Sequence, residues 1–299
     1  MQRKLLYIIN PISGTRNKES LQEVIKRKSE AAGFSFQIFP SVASGDYSFL
    51  IPVIQEQNIT DVVIAGGDGT INQVVNSLKS CNVQFGIIPC GSGNGLAFSA
   101  GLPKNWNKAL DIIFRGKSAW TDAFTVNGQF ACMLCGLGFD AQVAYDFAND
   151  PGRGLRTYIK QSVRNFLAAK AYPFVLITNN HSWETEAFFI SIANSNQFGN
   201  KVTIAPQASL TDGLLDVVVV TKQNKVSVLL NTVKQVAGYN KPQQIDELKE
   251  RANVLYLQTP AIEIKNKHLA PMHIDGEPVA KAKKISIVIQ PRSFRLIYP

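Results

Sequence analysis

The sequence predicts an α/β domain with a parallel sheet, followed by a mostly antiparallel β domain, a sandwich or a barrel. Three observations predict this. Short apolar runs alternate with helix-like segments through about residue 115. Beyond about residue 120, apolar runs follow one another with turn signals between them, such as Asn127-Gly128 and Asp212-Gly213. Glycine-rich loops follow three of the leading strands.

Leu5–Ile9 reads as a buried strand. Residues 17–32 read as a helix, with Leu21, Val24 and Ile25 on one face and Gly33 as its stop. Phe34–Phe39 is a second strand. Residues 46–57 are mostly helical, with Pro52 requiring a late start or a kink. Asp61–Ala65 is a third strand, 70–79 a helix carrying Ile71, Val74, Val75 and Leu78, Phe85–Ile88 a fourth strand, and 107–115 a further helix. This βαβα order implies a parallel, Rossmann-like sheet with helices on its faces. In the second half, Ala123–Val126, Phe130–Cys135, Phe174–Thr178, Glu186–Ala193, Leu214–Val220, Ala261–Lys265, Ile285–Ile289 and Phe294–Tyr298 read as strands. Helical pieces are expected at about 153–170 and 224–238.

A chain of 299 residues is long enough for two domains. With 45% hydrophobic and 18% charged residues it has core-forming material and is not a disordered chain. Four cysteines exclude a disulfide scaffold. The net charge of +9 favours an anionic partner: nucleotide, nucleic acid or membrane surface. The apolar start Leu5–Ile9 ends at Asn10-Pro11, shorter than the apolar region of a signal peptide. No stretch approaches the roughly 20 apolar residues of a membrane span. The expectation is a soluble protein of a reducing compartment, any membrane contact being peripheral.

The three loops are Asn10-Pro11-Ile12-Ser13-Gly14, Gly66-Gly67-Asp68-Gly69-Thr70 and Gly91-Ser92-Gly93-Asn94-Gly95. In a parallel α/β sheet, ligands bind beyond the carboxyl ends of the strands. Glycines let backbone N–H groups approach phosphate oxygens, and a following helix adds positive potential. Thr70 and Ser92 add hydroxyl donors. Asp68 would repel phosphate unless a cation stood between them, and Mg²⁺ suits that place. No Lys-Ser/Thr follows a G-x-x-x-x-G, and no G-x-G-x-x-G follows the first strand, so neither a P-loop nor a dinucleotide fingerprint is present.

These motifs resemble the diacylglycerol kinase catalytic family, the soluble lipid kinases that include sphingosine and ceramide kinases. The resemblance rests on the 10–14 and 66–70 loops, on Ala193-Asn194 through Gly199 with Ile204–Ala208, on Asp212-Gly213-Leu214-Leu215-Asp216, and on Asp275-Gly276-Glu277-Pro278. It runs through almost the whole chain. It implies an ATP-binding α/β domain over 1–121, rejoined by about 292–299, and a lipid-substrate β-sandwich over 122–291. Bacterial diacylglycerol kinases usually carry Asn-Asp in the third loop; here Gly95 follows Asn94, and residues 89–97 are more similar to sphingosine and ceramide kinases.

Carried over residue by residue, the resemblance implies ATP contacts from Asn10, Pro11, Ser13, Gly14, Ser41, Gly66, Gly67, Asp68, Gly69, Thr70, Gly91, Ser92 and Asn94. It implies a structural Mg²⁺ at Asp212 with the carbonyls of Ser209 and Leu214, hard oxygen ligands of the kind Mg²⁺ takes. Glu277 is the implied general base, with Asp275 beside it orienting groups or binding metal. Asp68 is the competing base. Asp122 and Asp140 are candidate orienting or substrate residues, and Asp216 a candidate cap of the Asp212 turn.

Cys132 and Cys135 form C-x-x-C without a second pair at zinc spacing and read as buried thiols. His181, His268 and His273 are scattered. Arg156, Lys160 and Arg164 share a helical face that reads either as the solvated basic side of a helix packed on the second domain or as a surface for anionic lipid, and the run from Lys281 to Lys284 is a second basic segment. The reading is an ATP-dependent kinase phosphorylating a lipid hydroxyl on diacylglycerol, a sphingoid base or a related long-chain alcohol. ATP is the co-substrate and Mg²⁺ the cofactor. The expected location is cytoplasmic, peripheral to the membrane, without nucleic acid; a homodimer is compatible with the sequence. The alternatives are an NAD kinase-like enzyme, which shares GGDGT, and a non-catalytic nucleotide- or lipid-sensing relative.

Overall fold

The computed structural model describes residues 3–14, 18–139, 141–142, 169–178, 181–197, 204–222 and 254–299. The chain divides into two compact units, Met1–Thr121 with Arg292–Pro299, and Asp122–Pro291. The expected helices at about 153–170 and 224–238 lie outside the described residues, apart from 169–170.

In the first unit, β1 (Lys4–Ile9), β2 (Ser35–Pro40), β3 (Asp61–Gly66) and β4 (Gln84–Pro89) form a parallel sheet in the order β2-β1-β3-β4. Residues Arg295 and Leu296 of β15 (Lys284–Ile297) add a parallel pairing to β4. Strands β1, β3 and β4 are almost wholly apolar and buried, as expected where helices cover both faces, whereas the edge strand β2 has no buried residue. Helices α1 (Lys18–Ala31), α2 (Ile51–Glu56), α3 (Asp68–Leu78), α4 (Gly95–Ser99) and α5 (Trp106–Arg115) connect them. Leu21 and Ile25 of α1, Ile71, Val74 and Val75 of α3, and Leu110 and Ile113 of α5 are buried at helical spacing. Asn105 caps α5 by accepting a hydrogen bond from the Lys108 N–H at 3.1 Å. At the other end of α5, the Arg3 guanidinium donates to the carbonyls of Ile113 and Phe114 and pairs with buried Asp61.

The second unit is antiparallel throughout. It comprises the unit's part of β5 (Ser118–Val126), β6 (Gln129–Ala131), β7 (Leu134–Gly138), β8 (Tyr172–Ile177), β9 (Ser182–Ala193), β10 (Leu215–Thr221), β11 (Val254–Thr259), β12 (Ala261–Lys265), β13 (Met272–Ile274), β14 (Glu277–Val279) and the leading part of β15. Long β9 pairs with β8 along Ser182–Ala187 and with β7 and β10 further on. Alternate residues build one core: Cys135 and Leu137 of β7, Ile190 and Ile192 of β9, Val217 and Val219 of β10, Leu255 and Leu257 of β11, and Ile285, Ile287 and Ile289 of β15.

Two strand expectations need correction. Phe130–Cys135 is two strands, β6 and β7, interrupted at Cys132 and Met133. The Asp275 carboxylate takes the N–H groups of residues 132–134, and Cys132 and Met133 drop out of the ladder between β6 and β7. Conversely, Ile285–Ile289 and Phe294–Tyr298 belong to one 14-residue strand that runs through Arg292 at φ 52°. Strands β11, β13 and β14 and the single turn α4 carry no period long enough to announce them.

Candidate functional site

The first group of candidate residues lies at one edge of the parallel sheet. In register, Ile9 stands beside Ala65 and Pro40, and Gly66 beside Pro89, so the chain leaves all four strands at the same level. Three further bonds carry the ladder one residue past the strands: Asn10 N to Ala65 O, Ser41 N to Ile9 O and Cys90 N to Gly66 O, each 2.9 Å. Loops 10–14, 66–70 and 91–95 therefore emerge side by side.

Their backbones touch. A Cβ on Gly14 would lie 2.1 Å from the Cys90 carbonyl oxygen, and Gly14 has φ +64°. A Cβ on Gly91 would lie 2.5 Å from the Gly67 Cα. No side chain fits at either place, so the main chain itself forms the surface. Side chains then lock the loops. The Asn10 amide donates to the Thr70 hydroxyl at 2.8 Å, and its oxygen accepts from the Ile12 N–H at 3.0 Å. Ser13 donates to the Asn10 carbonyl, and the buried Lys18 ammonium to the Ser13 carbonyl at 2.6 Å. Asn94, fully buried at φ 57°, accepts from Gly91 N and donates to Gly91 O, both at 2.7 Å. Its side chain thus shapes the loop. Gly67 is the extended N-cap of α3 and makes no side-chain cap; half-buried Asp68 occupies the first turn, followed by Gly69 and buried Thr70. Pro11 is exposed, and Ser41 and Ser92 are half-buried. An array of amides closing on a helix N-terminus, with a lysine behind it, suits phosphate oxygens.

The second group lies in the second unit. Asp275-Gly276 is the two-residue turn joining β13 to β14, with φ 49° and 85°, the backbone of a type I′ hairpin. Asp275 is 5% exposed. Its carboxylate accepts from the N–H groups of Cys132, Met133 and Leu134, each at 2.9 Å, and from the Cys132 thiol at 3.4 Å. Glu277, two residues on, is exposed at the start of β14. The two carboxylates of this motif therefore differ: one is built into the backbone, the other is open to solvent. His273 is buried, and its Nδ1 accepts from Gly276 N at 3.2 Å.

Asp122 holds a loop. Its N–H donates to the Leu210 carbonyl, and its carboxylate accepts from Gly213 N, both at 2.7 Å. Its own carbonyl accepts from the buried Asn194 amide at 2.8 Å. In that loop half-buried Ser209 accepts from Thr211 N, and the exposed Asp212 carboxylate accepts from Leu214 N at 3.0 Å. Lost hydration pushes the Asp212 carboxyl above its ordinary range, and the Asp122 charge pushes it the same way. An exposed carboxylate with a second carboxylate charge near it is a hard oxygen donor of the kind a divalent cation takes.

Asp216 does not cap the Asp212 turn. It is fully buried on β10 and accepts from the Tyr256 hydroxyl at 2.5 Å and from the Gln258 amide at 3.2 Å. The Tyr256 oxygen in turn accepts from Gln207 N at 3.1 Å, so this pair anchors the start of the same loop. Burial raises Asp216 to about 6 and drives Tyr256 upward. Tyr256, Gln258 and Lys18 carry no motif signal; only their partners in space reveal them. Asp140 lies outside the described residues. Among the described residues no cluster of three His, Cys, Asp or Glu side chains could hold a metal, and the buried Cys132 and Cys135 are in no disulfide.

The comparisons with known proteins match a different family model to each half of the chain. Residues 4–126 match the diacylglycerol kinase catalytic domain, and residues 134–298 match the YegS C-terminal NAD kinase beta sandwich-like domain. The chain is 26% identical over 275 residues to a Cronobacter sakazakii protein named probable lipid kinase YegS-like, covering 89% of this chain and 87% of the relative. It is 25% identical over 280 residues to the diacylglycerol kinase of Bacillus subtilis, covering 90% and 88%. A solved diacylglycerol kinase structure from Bacillus anthracis superposes with TM-score 0.74 at 20% identity, covering 99% of this chain and 97% of that one, which is a likeness of fold.

Proposed function

The chain belongs to the diacylglycerol kinase-like family of lipid kinases, and on that premise we propose that it transfers the γ-phosphate of ATP to the hydroxyl of a lipid. The observation that carries this reading is the backbone cradle made where loops 10–14, 66–70 and 91–95 meet. Its amides and the N-terminus of α3 receive the phosphates, with Asn10 and Thr70 holding the first two loops together. Asp68, in the first turn of α3, is the residue to hold Mg²⁺ against the phosphate oxygens. When bound there, the ion supplies charge neutralisation of the phosphates.

Glu277 accepts the proton of the lipid hydroxyl. The hydroxyl oxygen forms the new bond to γ-phosphorus, the bond from γ-phosphorus to the bridging oxygen breaks, and ADP leaves. Exposure of Glu277 supports this role, whereas the Asp275 carboxylate is engaged by backbone amides and positions the hairpin. Asp212, on a loop held by Asp122, would hold a structural Mg²⁺ with the carbonyls of Ser209 and Leu214. The acceptor is diacylglycerol, a sphingoid base or a related long-chain alcohol, met at the cytoplasmic surface of a membrane. Among the described residues no helix is long and apolar enough to cross a membrane.

The test is phosphate transfer from γ-labelled ATP to micelles of diacylglycerol, sphingosine, ceramide and monoacylglycerol, with NAD as a control. A labelled lipid that disappears in both Asp68→Asn and Glu277→Gln is expected. Labelling of NAD alone, or ATP binding without any labelled product, overturns the reading.

A further inference from the structure

The second unit carries a basic surface that includes the Lys281–Lys284 run and lies outside the residues of the candidate site. Lys265 ends β12 and faces Lys284 across the β12–β15 ladder. The segments that follow β12 and precede β15 are joined by Asn266 N donating to Lys283 O at 2.8 Å. Lys265, Lys267, Lys281, Lys283 and Lys284 are all exposed, as is His268. Two described carboxylates stand nearby. Glu263 pairs with Lys284 at 2.9 Å, and Glu184 lies two strands from Lys265 across Val175. The surface is strongly positive after both are counted.

Leu269, two residues after Lys267, is 38% exposed with φ 53°. A bulky aliphatic residue in the left-handed region is an outlier, and asparagine would be more at home there. The conformation is imposed by Asn266, which is fully buried. The Asn266 amide accepts from Ala270 N at 2.8 Å and donates to Ala270 O at 3.1 Å, while its carbonyl accepts from Leu269 N at 3.1 Å. The fold thus holds a partly exposed leucine in a strained backbone, two residues from Lys267. Strain kept at an exposed position points to use of the side chain. Met272 pairs with Val279 at the base of the hairpin, about 10 Å from the Asp275-Gly276 turn at 3.3 Å per strand residue, and Leu269 and Lys281 lie beyond that base.

We propose that Lys265, Lys267, Lys281, Lys283 and Lys284, with Leu269, form a docking surface for an anionic lipid bilayer. The lysines meet the charged headgroups and Leu269 enters the interface. A polyanion without an apolar phase would use the lysines and leave Leu269 idle, so charge and apolarity together favour the bilayer over nucleic acid. The proposal rests on the lipid-kinase reading for its purpose. Its test needs neither ATP nor acceptor, so each can fail alone.

The experiment is cosedimentation of the full chain with vesicles of equimolar phosphatidylglycerol and phosphatidylcholine, and with phosphatidylcholine alone. Binding to the first and not the second is expected, weakening with salt. The triple variant Lys267→Gln, Lys281→Gln, Lys283→Gln should lose on the order of 100-fold in partition, at roughly fivefold per lysine. Leu269→Asn should lose roughly tenfold while melting no lower than wild type, because asparagine relieves the backbone. Absent vesicle binding, or a triple variant that partitions like wild type, overturns the proposal. So does a Leu269→Asn variant with undiminished partition when the triple variant also loses duplex DNA, which would make the patch a nucleic-acid surface.

Discussion

Replacing Asp275 with asparagine separates the structural carboxylate of the DGE motif from the chemical one. Asp275 receives three backbone N–H groups at 2.9 Å, two on Oδ1 and one on Oδ2. Asparagine keeps one acceptor oxygen. Even if it keeps the Met133 and Leu134 bonds, its NH₂ group must face the Cys132 N–H, donor against donor. A hydrogen bond to a charged group contributes about 1.5–3 kcal/mol, and a buried unsatisfied N–H costs about 1–3 kcal/mol. These overlap, so the expected loss is about 2–4 kcal/mol. Glu277→Gln, on an exposed side chain, should change stability by no more than about 0.5 kcal/mol. The assay is hydrogen exchange at residues 132–134 together with thermal unfolding, since a chain of two units gives no single unfolding free energy. Asp275→Asn should speed exchange at those amides, and its phosphotransfer should fall in step with the folded population. Glu277→Gln should keep wild-type exchange and lose about 10²–10⁴-fold in rate. An Asp275→Asn protein with wild-type exchange and melting would refute the reasoning.

Gly91→Ala places a Cβ 2.5 Å from Gly67 Cα, so the cradle must open; ATP affinity measured by calorimetry should drop at least tenfold, with the second unit's exchange unchanged. Asn94→Ala removes both 2.7 Å bonds to Gly91 and should cost about 2 kcal/mol in stability, read by melting, along with ATP affinity. Asp216 gives a pH signature. Burial raises it from 3.8 to about 6, so the folded state holds the proton more tightly than the unfolded one. Its contribution is therefore most favourable at low pH and is lost as pH rises from about 4 to about 6, by on the order of 3 kcal/mol. Asp216→Asn should abolish that part of the pH dependence, and identical wild-type and variant slopes of melting temperature across the window would count against it.

The α/β half and the antiparallel half were legible because both signals are local. Helical spacing in α1, α3 and α5 and the unbroken apolar runs of β1, β3 and β4 follow from which faces are buried. The glycine loops were legible for the same reason: a main-chain approach as close as Gly91 to Gly67 leaves no other residue type available. By itself, then, the sequence determined the fold class and the loops that line the sheet edge. What only the tertiary structure decided are the tasks of side chains whose partners are far along the chain. Asp275 reaches back to residues 132–134 and splits a predicted strand, and Asp216 meets Tyr256 forty residues on. Carboxylates and amides have no periodicity of their own. Their roles are set by which backbone donors and acceptors the packed sheets leave unsatisfied, and that is known only once the strands are in register.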